Sequence, residues 1–249
     1  MITDEKRKGK FTASGITRLL AEGTGKTRIN YIIEVAKNGL GIRNEFSTSD
    51  TRHGINNQIN AFDFVVKNNF DHAKWADEYM SINDDCGASP DVLVAYDNNV
   101  CPLDIKCPTT IDNYIKQIAD TKNQYYYQVE MQMMATGADV GFLCYYLTKP
   151  EMFGVEWKEY PMPIEDRFKI NTFHRNPEAV DRILKAVEDA VPLRDILIKK
   201  MEDAILLDEI EYFYEQKKHM NFRDIGYSSN PFNVKEYYRV GDDFYYKVA

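Results

Sequence analysis

The feature that most constrains this chain is a change of period near its middle. From residue 14 to about residue 68, apolar residues recur three and four apart, whereas from residue 92 to residue 106 they alternate. Val92 to Tyr96 reads as one strand and Val100 to Lys106 as a second, with Asp97-Asn98-Asn99 as the turn and Pro108 as the stop. Period two sends successive side chains to opposite faces. Asp104 and Lys106 therefore share a face, while Ile105 points the other way, into the core. A turn at residues 97–99 also brings Asp91, which follows Pro90 at the start of the first arm, close to Asp104 across the pair.

Around this hairpin the spacing is mostly helical. Ser14 to Leu20 predicts a short helix, with Thr12 or Ser14 as its cap and Ile16, Leu19 and Leu20 as its apolar face. Ile29 to Lys37 predicts a second, ended by Asn38-Gly39. Arg52 to about Asn68 predicts a third, with Ile55, Ile59, Phe62, Val65 and Val66 as a buried stripe. Downstream, Ile111 to Thr136 is helical in two pieces, Val140 to Leu147 is an apolar strand, and Val155 to Tyr160 is a further strand. Asn176-Pro177-Glu178 opens a long helical region reaching about His219, with a break at Pro192. The last thirty residues are rich in Tyr and Asn, with strand-like runs at residues 237–240 and 244–246. This order predicts an α/β fold, a mixed β-sheet flanked by helices with a helical C-terminal region. The 249 residues suit one large domain or a domain with an appendage. Residues 1–200 are assigned to the principal domain and residues 201–249 to a helical, Tyr-rich extension.

Several classes are disfavoured. Hydrophobic residues at 44% and charged residues at 28% are ordinary for a soluble globular chain. No run approaches the ~18 apolar residues of a membrane span, and the charged segment Met1 to Lys10 does not resemble a secretory signal. Cys86, Cys101, Cys107 and Cys144 form no Cys-x-x-Cys pair, which argues against a zinc ribbon and for reduced thiols in a cytoplasmic setting. A net charge of −8 counts against a nucleic-acid coat protein, which would be basic, but a DNA enzyme needs only local positive charge. Gly23-Thr24-Gly25-Lys26-Thr27 looks like the end of a phosphate-binding loop. The full pattern requires a glycine at position 20, where Leu20 stands, and a strand before it, where the spacing is helical.

Asp91, Asp104 and Lys106 point to hydrolytic chemistry. Two converging carboxylates repel each other unless a cation joins them, and hard oxygen ligands with open water positions suit Mg²⁺ or Mn²⁺. Such an ion lowers the pKa of a bound water and polarises a phosphodiester oxygen. Lys106 would orient that water or stabilise charge developing on the phosphate. An Asp-x-Lys pair alone equally suits an exposed strand face. The Ser89-Pro90-Asp91 segment thirteen residues upstream, on the matching arm, is what lifts the pattern above that reading.

Gly87-Ala88-Ser89-Pro90-Asp91 together with Leu103-Asp104-Ile105-Lys106-Cys107-Pro108 resembles the phage lambda exonuclease, or YqaJ-type viral recombinase, family of PD-(D/E)xK nucleases. Phe11-Thr12-Ala13-Ser14 is similar to that family's N-terminal Thr-Ala-Ser motif, residues 54–64 to its Gly-x-x-x-Glu helix, and Tyr127 to Met133 to the helix carrying its glutamine. The resemblance spans roughly residues 7–150. It implies a restriction-endonuclease-like core and a Mg²⁺-dependent exodeoxyribonuclease acting on ends of linear double-stranded DNA. It further implies 5′ to 3′ polarity, a 3′ overhang for a single-strand annealing protein, and a homo-oligomer such as a ring trimer. Asp91, Asp104 and the Ile105 carbonyl would then hold the metal, Lys106 would be the catalytic lysine, and Gln128 an active-site hydrogen-bonding residue. Ser14, Ser89 and Arg7 would hold the 5′ phosphate.

This sequence departs from the family pattern in three places. Asp104 replaces the usual glutamate and reaches one methylene less. Gln58 stands where the helix normally brings a glutamate, so it offers an oxygen but no charge. No arginine follows the lysine motif; Asp112 lies near that place. Two other classes therefore stay open: a catalytically weakened DNA-binding protein on a nuclease scaffold, and a repair- or restriction-type endonuclease. Among the supporting residues, Ser14 also suits a helix cap, and His53 suits capping or packing. Gln124, Gln128 and Gln132 at i, i+4 spacing also suit a plain polar helix face.

Overall fold

The computed structural model describes residues 5–21, 26–42, 49–76, 78–120, 124–147, 163–217, 234–240 and 243–248. In chain order, its elements begin with β1 (Phe11–Thr12), α1 (Ile16–Leu19), α2 (Lys26–Gly39) and α3 (Ser49–Ala61). A π-helical stretch (Phe62–Val66) and a last turn, α4 (Lys67–Asn69), follow. Next come β2 (Ala73–Trp75), β3 (Met80–Ser81), β4 (Cys86–Ala88), β5 (Val92–Tyr96), β6 (Asn99–Lys106), α5 (Ile111–Ala119), α6 (Tyr126–Thr136) and β7 (Val140–Tyr146). The remainder is β8 (Phe168–His174), α7 (Pro177–Lys217), β9 (Val234–Val240) and β10 (Asp243–Val248). The Gly23-Thr24-Gly25 loop and the strand expected over residues 155–160 lie outside the described residues.

The chain divides into two compact units, residues 1–200 and 201–249. In the first, a five-stranded mixed sheet has the order β2-β5-β6-β7-β8, parallel only between β6 and β7. Its two faces are both covered. Val92, Val94, Leu103, Ile105, Phe142 and Cys144 pack against Phe62, Val65 and Val66 of the π-helical stretch. On the opposite face, Leu143 and Tyr145 of β7 pack with Tyr114 of α5 and with Val129 and Met133 of α6. A small second sheet, β1-β4-β3, joins α1, α2, Met131 of α6 and the part of α7 around Ile183 and Val187 in another core. Arg194 of α7 ties that core to the N-terminal segment, donating to the Gly9 carbonyl at 3.1 Å and to Asp85 at 2.8 Å. In the second unit, β9 and β10 form an antiparallel hairpin.

α6 is therefore enclosed on two sides, by the sheet through Val129 and Met133 and by the second core through Met131. Gly137 ends it in the left-handed region (φ 73°), as C-terminal glycines do. All four cysteines are free and buried. Burial pushes the Cys86 thiol up to about 11 and the Cys107 thiol up to about 12, so both stay protonated at neutral pH. Among the described residues, no helix is long and apolar enough to cross a membrane.

Three local expectations need correction. Ile55 and Ile59 are 63% and 50% exposed, not core. His53 and Asn57 face inward instead, 8% and 4% exposed and hydrogen-bonded to each other at 3.2 Å. Successive residues of an α-helix turn by about 100°, so Ile55 falls about 200° from His53 and lies away from the face that His53 and Asn57 bury. Second, α7 runs unbroken through Pro192, although the proline lacks the N–H that would bond four residues back. Third, neither Thr12 nor Ser14 caps a helix with its side chain.

Candidate active site

The hairpin register builds the site. β5 and β6 pair Val92 with Leu103, which carries Asp91 to Asp104 at the paired end. The arms meet in a two-residue turn, Asp97 and Asn98, both at positive φ (48° and 59°). Asp and Asn enter that region more readily than branched residues, and such turns match the twist of the strands. Asp91 Oδ2 accepts from the Ile105 N–H at 2.7 Å, which fixes the first carboxylate on the peptide joining Asp104 to Ile105.

Asp104 faces α6 and is 2% exposed. Its Oδ1 accepts from Gln128 Nε2 at 2.6 Å and from Gln132 Nε2 at 2.8 Å. Its Oδ2 lies 2.7 Å from Lys106 Nζ. On another side, the Lys106 ammonium sits 4.7 Å from the centre of the Tyr125 ring, a favourable cation–π distance. Gln58 of α3 also donates a hydrogen bond to Asp91.

Electrostatics follow from this crowding. Burial, and then the neighbouring Asp104 charge, push the Asp91 carboxyl up to about 7; Lys106, the Ile105 N–H and Gln58 oppose the shift. For Lys106, burial favours the neutral amine, but Asp104 and Asp91 outweigh it and its pKa is raised. The two carboxylates thus favour the Lys106 ammonium, which is suited to stabilising negative charge. Among the described residues, no three His, Cys, Asp or Glu side chains are arranged to hold an ion. What the site does offer is the buried Asp104 carboxylate beside the half-buried Asp91 carboxylate, whose charges repel, the kind of hard oxygen donors that a divalent cation takes.

The structure thus gathers Asp91, Asp104, Ile105, Lys106, Gln128 and Gln58. Ser89 is half-buried two residues before Asp91, and Ser14 is exposed. They follow β4 and β1, which run parallel with Thr12 opposite Gly87, so each serine lies two residues past a paired position. Gly15 leaves room for Tyr31, since a Cβ there would fall 2.1 Å from its ring, and the Tyr31 hydroxyl accepts from the Thr12 N–H at 3.0 Å. Arg7 is exposed on a 3-10 turn, Glu5–Arg7, and no described contact brings it to either serine. Two site residues went unread in the sequence. Gln132 follows Gln128 by one helical turn, a signal that equally fits a solvated face, and Tyr125 carries no local mark of its role.

The fold, a mixed sheet flanked by helices, is similar to that of alkaline exonucleases. An alkaline exonuclease from Laribacter hongkongensis is similar, with 20% identity and a TM-score of 0.63 over 80% of this chain and 95% of that one. The same exonuclease solved with dAMP superposes with a TM-score of 0.64. A phage-related exonuclease from Haemophilus somnus 129PT has 19% identity and a TM-score of 0.65 over 77% of this chain and 96% of that one. No curated protein sequence matches the chain. The YqaJ-like viral recombinase domain matches residues 4–139, and the chain belongs to that family. Family and fold together support a phage-type exonuclease.

Proposed function

We propose that this chain is a metal-dependent exodeoxyribonuclease that degrades linear double-stranded DNA from its ends, 5′ to 3′, and leaves 3′ overhangs for a single-strand annealing partner. The observation that carries this reading is the group of Asp91, Asp104 and Lys106 at the paired end of β5 and β6. Asp91, Asp104 and the Ile105 carbonyl would hold Mg²⁺ or Mn²⁺, which when bound supplies an activated water and neutralises charge at the phosphodiester. Lys106, whose ammonium Asp104 and Asp91 favour, would stabilise the negative charge that grows on the phosphate during hydrolysis. Asp104 and the Tyr125 ring hold the ammonium in place, and Gln128 holds Asp104. Ser14, Ser89 and Arg7 would receive a 5′ phosphate. The same reading gives a ring-forming homo-oligomer working in the host cytoplasm.

The test is digestion of duplexes labelled at each end, with and without a 5′ phosphate, in Mg²⁺ or Mn²⁺. Wild-type protein should release label from the 5′ end first. Lys106→Met should slow cleavage about 10²–10³-fold with little change in DNA affinity. Linear duplex left intact by the wild-type protein would sink the proposal.

Gln58 favours a second reading, a DNA-binding protein with little hydrolysis, because its amide faces Asp91 where a carboxylate would attract a further ion. DNA binding that survives chelation, with no cleavage, would support it. Gln58→Glu tests the same point by adding a third acid. Calorimetric titration with Mn²⁺ should rise from about one ion per chain to about two. Unchanged stoichiometry would show that Gln58 does not limit the metal number.

A further inference from the structure

Gln132 carries more buried polarity than its place in the fold requires. It is fully buried, between Met131 and Met133 in sequence. Its Nε2 donates to Asp104, but its Oε1 is buried with no hydrogen-bond partner among the described residues. An unpaired buried carbonyl oxygen works against folding, and a methionine of similar volume would fill the same space without it. Core packing therefore does not account for the glutamine; its effect on Asp104 does.

We infer that Gln132 is a positioning residue of the nuclease centre, which together with Gln128 fixes the Asp104 carboxylate so that Oδ2 alone is offered to Lys106 and a divalent cation. The inference rests on the metal-dependent reading above. The terminal torsion of an aspartate is soft and nearly two-fold, so a carboxylate held by one donor can still rock or exchange its oxygens. Two donors from successive turns of α6 converge on Oδ1, at 2.6 Å and 2.8 Å, and remove that freedom. The arrangement also suits the short side chain. Aspartate projects one methylene less than glutamate, and two long amides reach from the helix to meet it. Gln128 alone would leave Oδ1 satisfied but the carboxylate plane less constrained.

The experiment uses the full chain and Mn²⁺ as the probe. Calorimetric Mn²⁺ affinity without DNA and thermal melting in chelator are measured for wild type, Gln132→Met, Gln132→Asn and Asp104→Asn. Both Gln132 variants should lose about 10–100-fold in Mn²⁺ affinity. Without metal, Gln132→Met should melt near wild type, whereas Gln132→Asn, which leaves its amide unpaired in a buried site, should melt lower; saturating Mn²⁺ should restore most of kcat in both. Gln132→Asn keeps the amide but withdraws it, so it still decides the matter if Gln132→Met does not fold. If Asp104→Asn weakens Mn²⁺ binding while both Gln132 variants stay within twofold of wild type, the positioning role is overturned and the proposed function stands. If wild type binds no Mn²⁺, or Asp104→Asn binds it as tightly, the metal reading itself fails, and this inference with it.

Discussion

Asp104→Asn is expected to slow DNA cleavage at least about a thousandfold while leaving the fold intact. The amide keeps the volume of the carboxylate, and its oxygen still accepts from Gln128 and Gln132. What disappears is the charge on Oδ2, which faces Lys106 at 2.7 Å. A cation loses an anionic ligand, and the lysine loses its nearest counter-ion. Asp104→Ala is a poorer test, because it strands both glutamine donors in a buried site at about 1–3 kcal/mol each. Single-turnover cleavage of an end-labelled duplex, beside a melting curve, separates chemistry from folding. Cleavage within tenfold of wild type would remove Asp104 from the mechanism.

Metal-free protein should lose stability as pH rises from about 4 to about 7, and Mg²⁺ should restore it at pH 8. The sign follows from Asp91. Its folded pKa, about 7, lies above the unfolded value of 3.8, so the native state binds the extra proton between these limits. The stabilisation from that proton is complete below about pH 4 and lost as pH passes 7. The effect is on the order of a few kcal/mol. On the proposed metal-dependent reading a divalent cation would take the place of that proton, so Mg²⁺ should raise the melting temperature more at pH 8 than at pH 5. Asp91→Asn should flatten both dependences. Wild type and Asp91→Asn showing the same change in melting temperature between pH 5 and pH 8 without metal would contradict the assigned environment of Asp91.

Legibility in the sequence tracked how local each determinant is. The β5–β6 hairpin could be read because its signals, alternation and an Asp-Asn turn, lie within fifteen residues. Its register then placed Asp91 beside Asp104 without further information. β8 was not legible: Phe168–His174 is an edge strand, half-exposed along its length, and its alternation of apolar and polar residues is weak. The strands of the second sheet are two or three residues long, too short to carry a period. The Ile55–Ile59 stripe misled because the inward face of that helix is taken by His53 and Asn57, a hydrogen-bonded polar pair that leaves no apolar signal.

The amino-acid order settled the parts of the centre that lie on one hairpin: two acids, a carbonyl and a lysine, with their faces set by period two. Tertiary structure decided everything that reaches this hairpin from elsewhere. Gln58 arrives from α3, Tyr125 from the turn before α6, and Gln128 and Gln132 from α6 itself. Whether a glutamine on α6 faces water or a carboxylate depends on both sides of that helix being covered, by the sheet and by the second core. Burial of that kind is a property of distant segments meeting, so the same Gln-x-x-x-Gln spacing serves equally for a solvated face and for the clamp on Asp104.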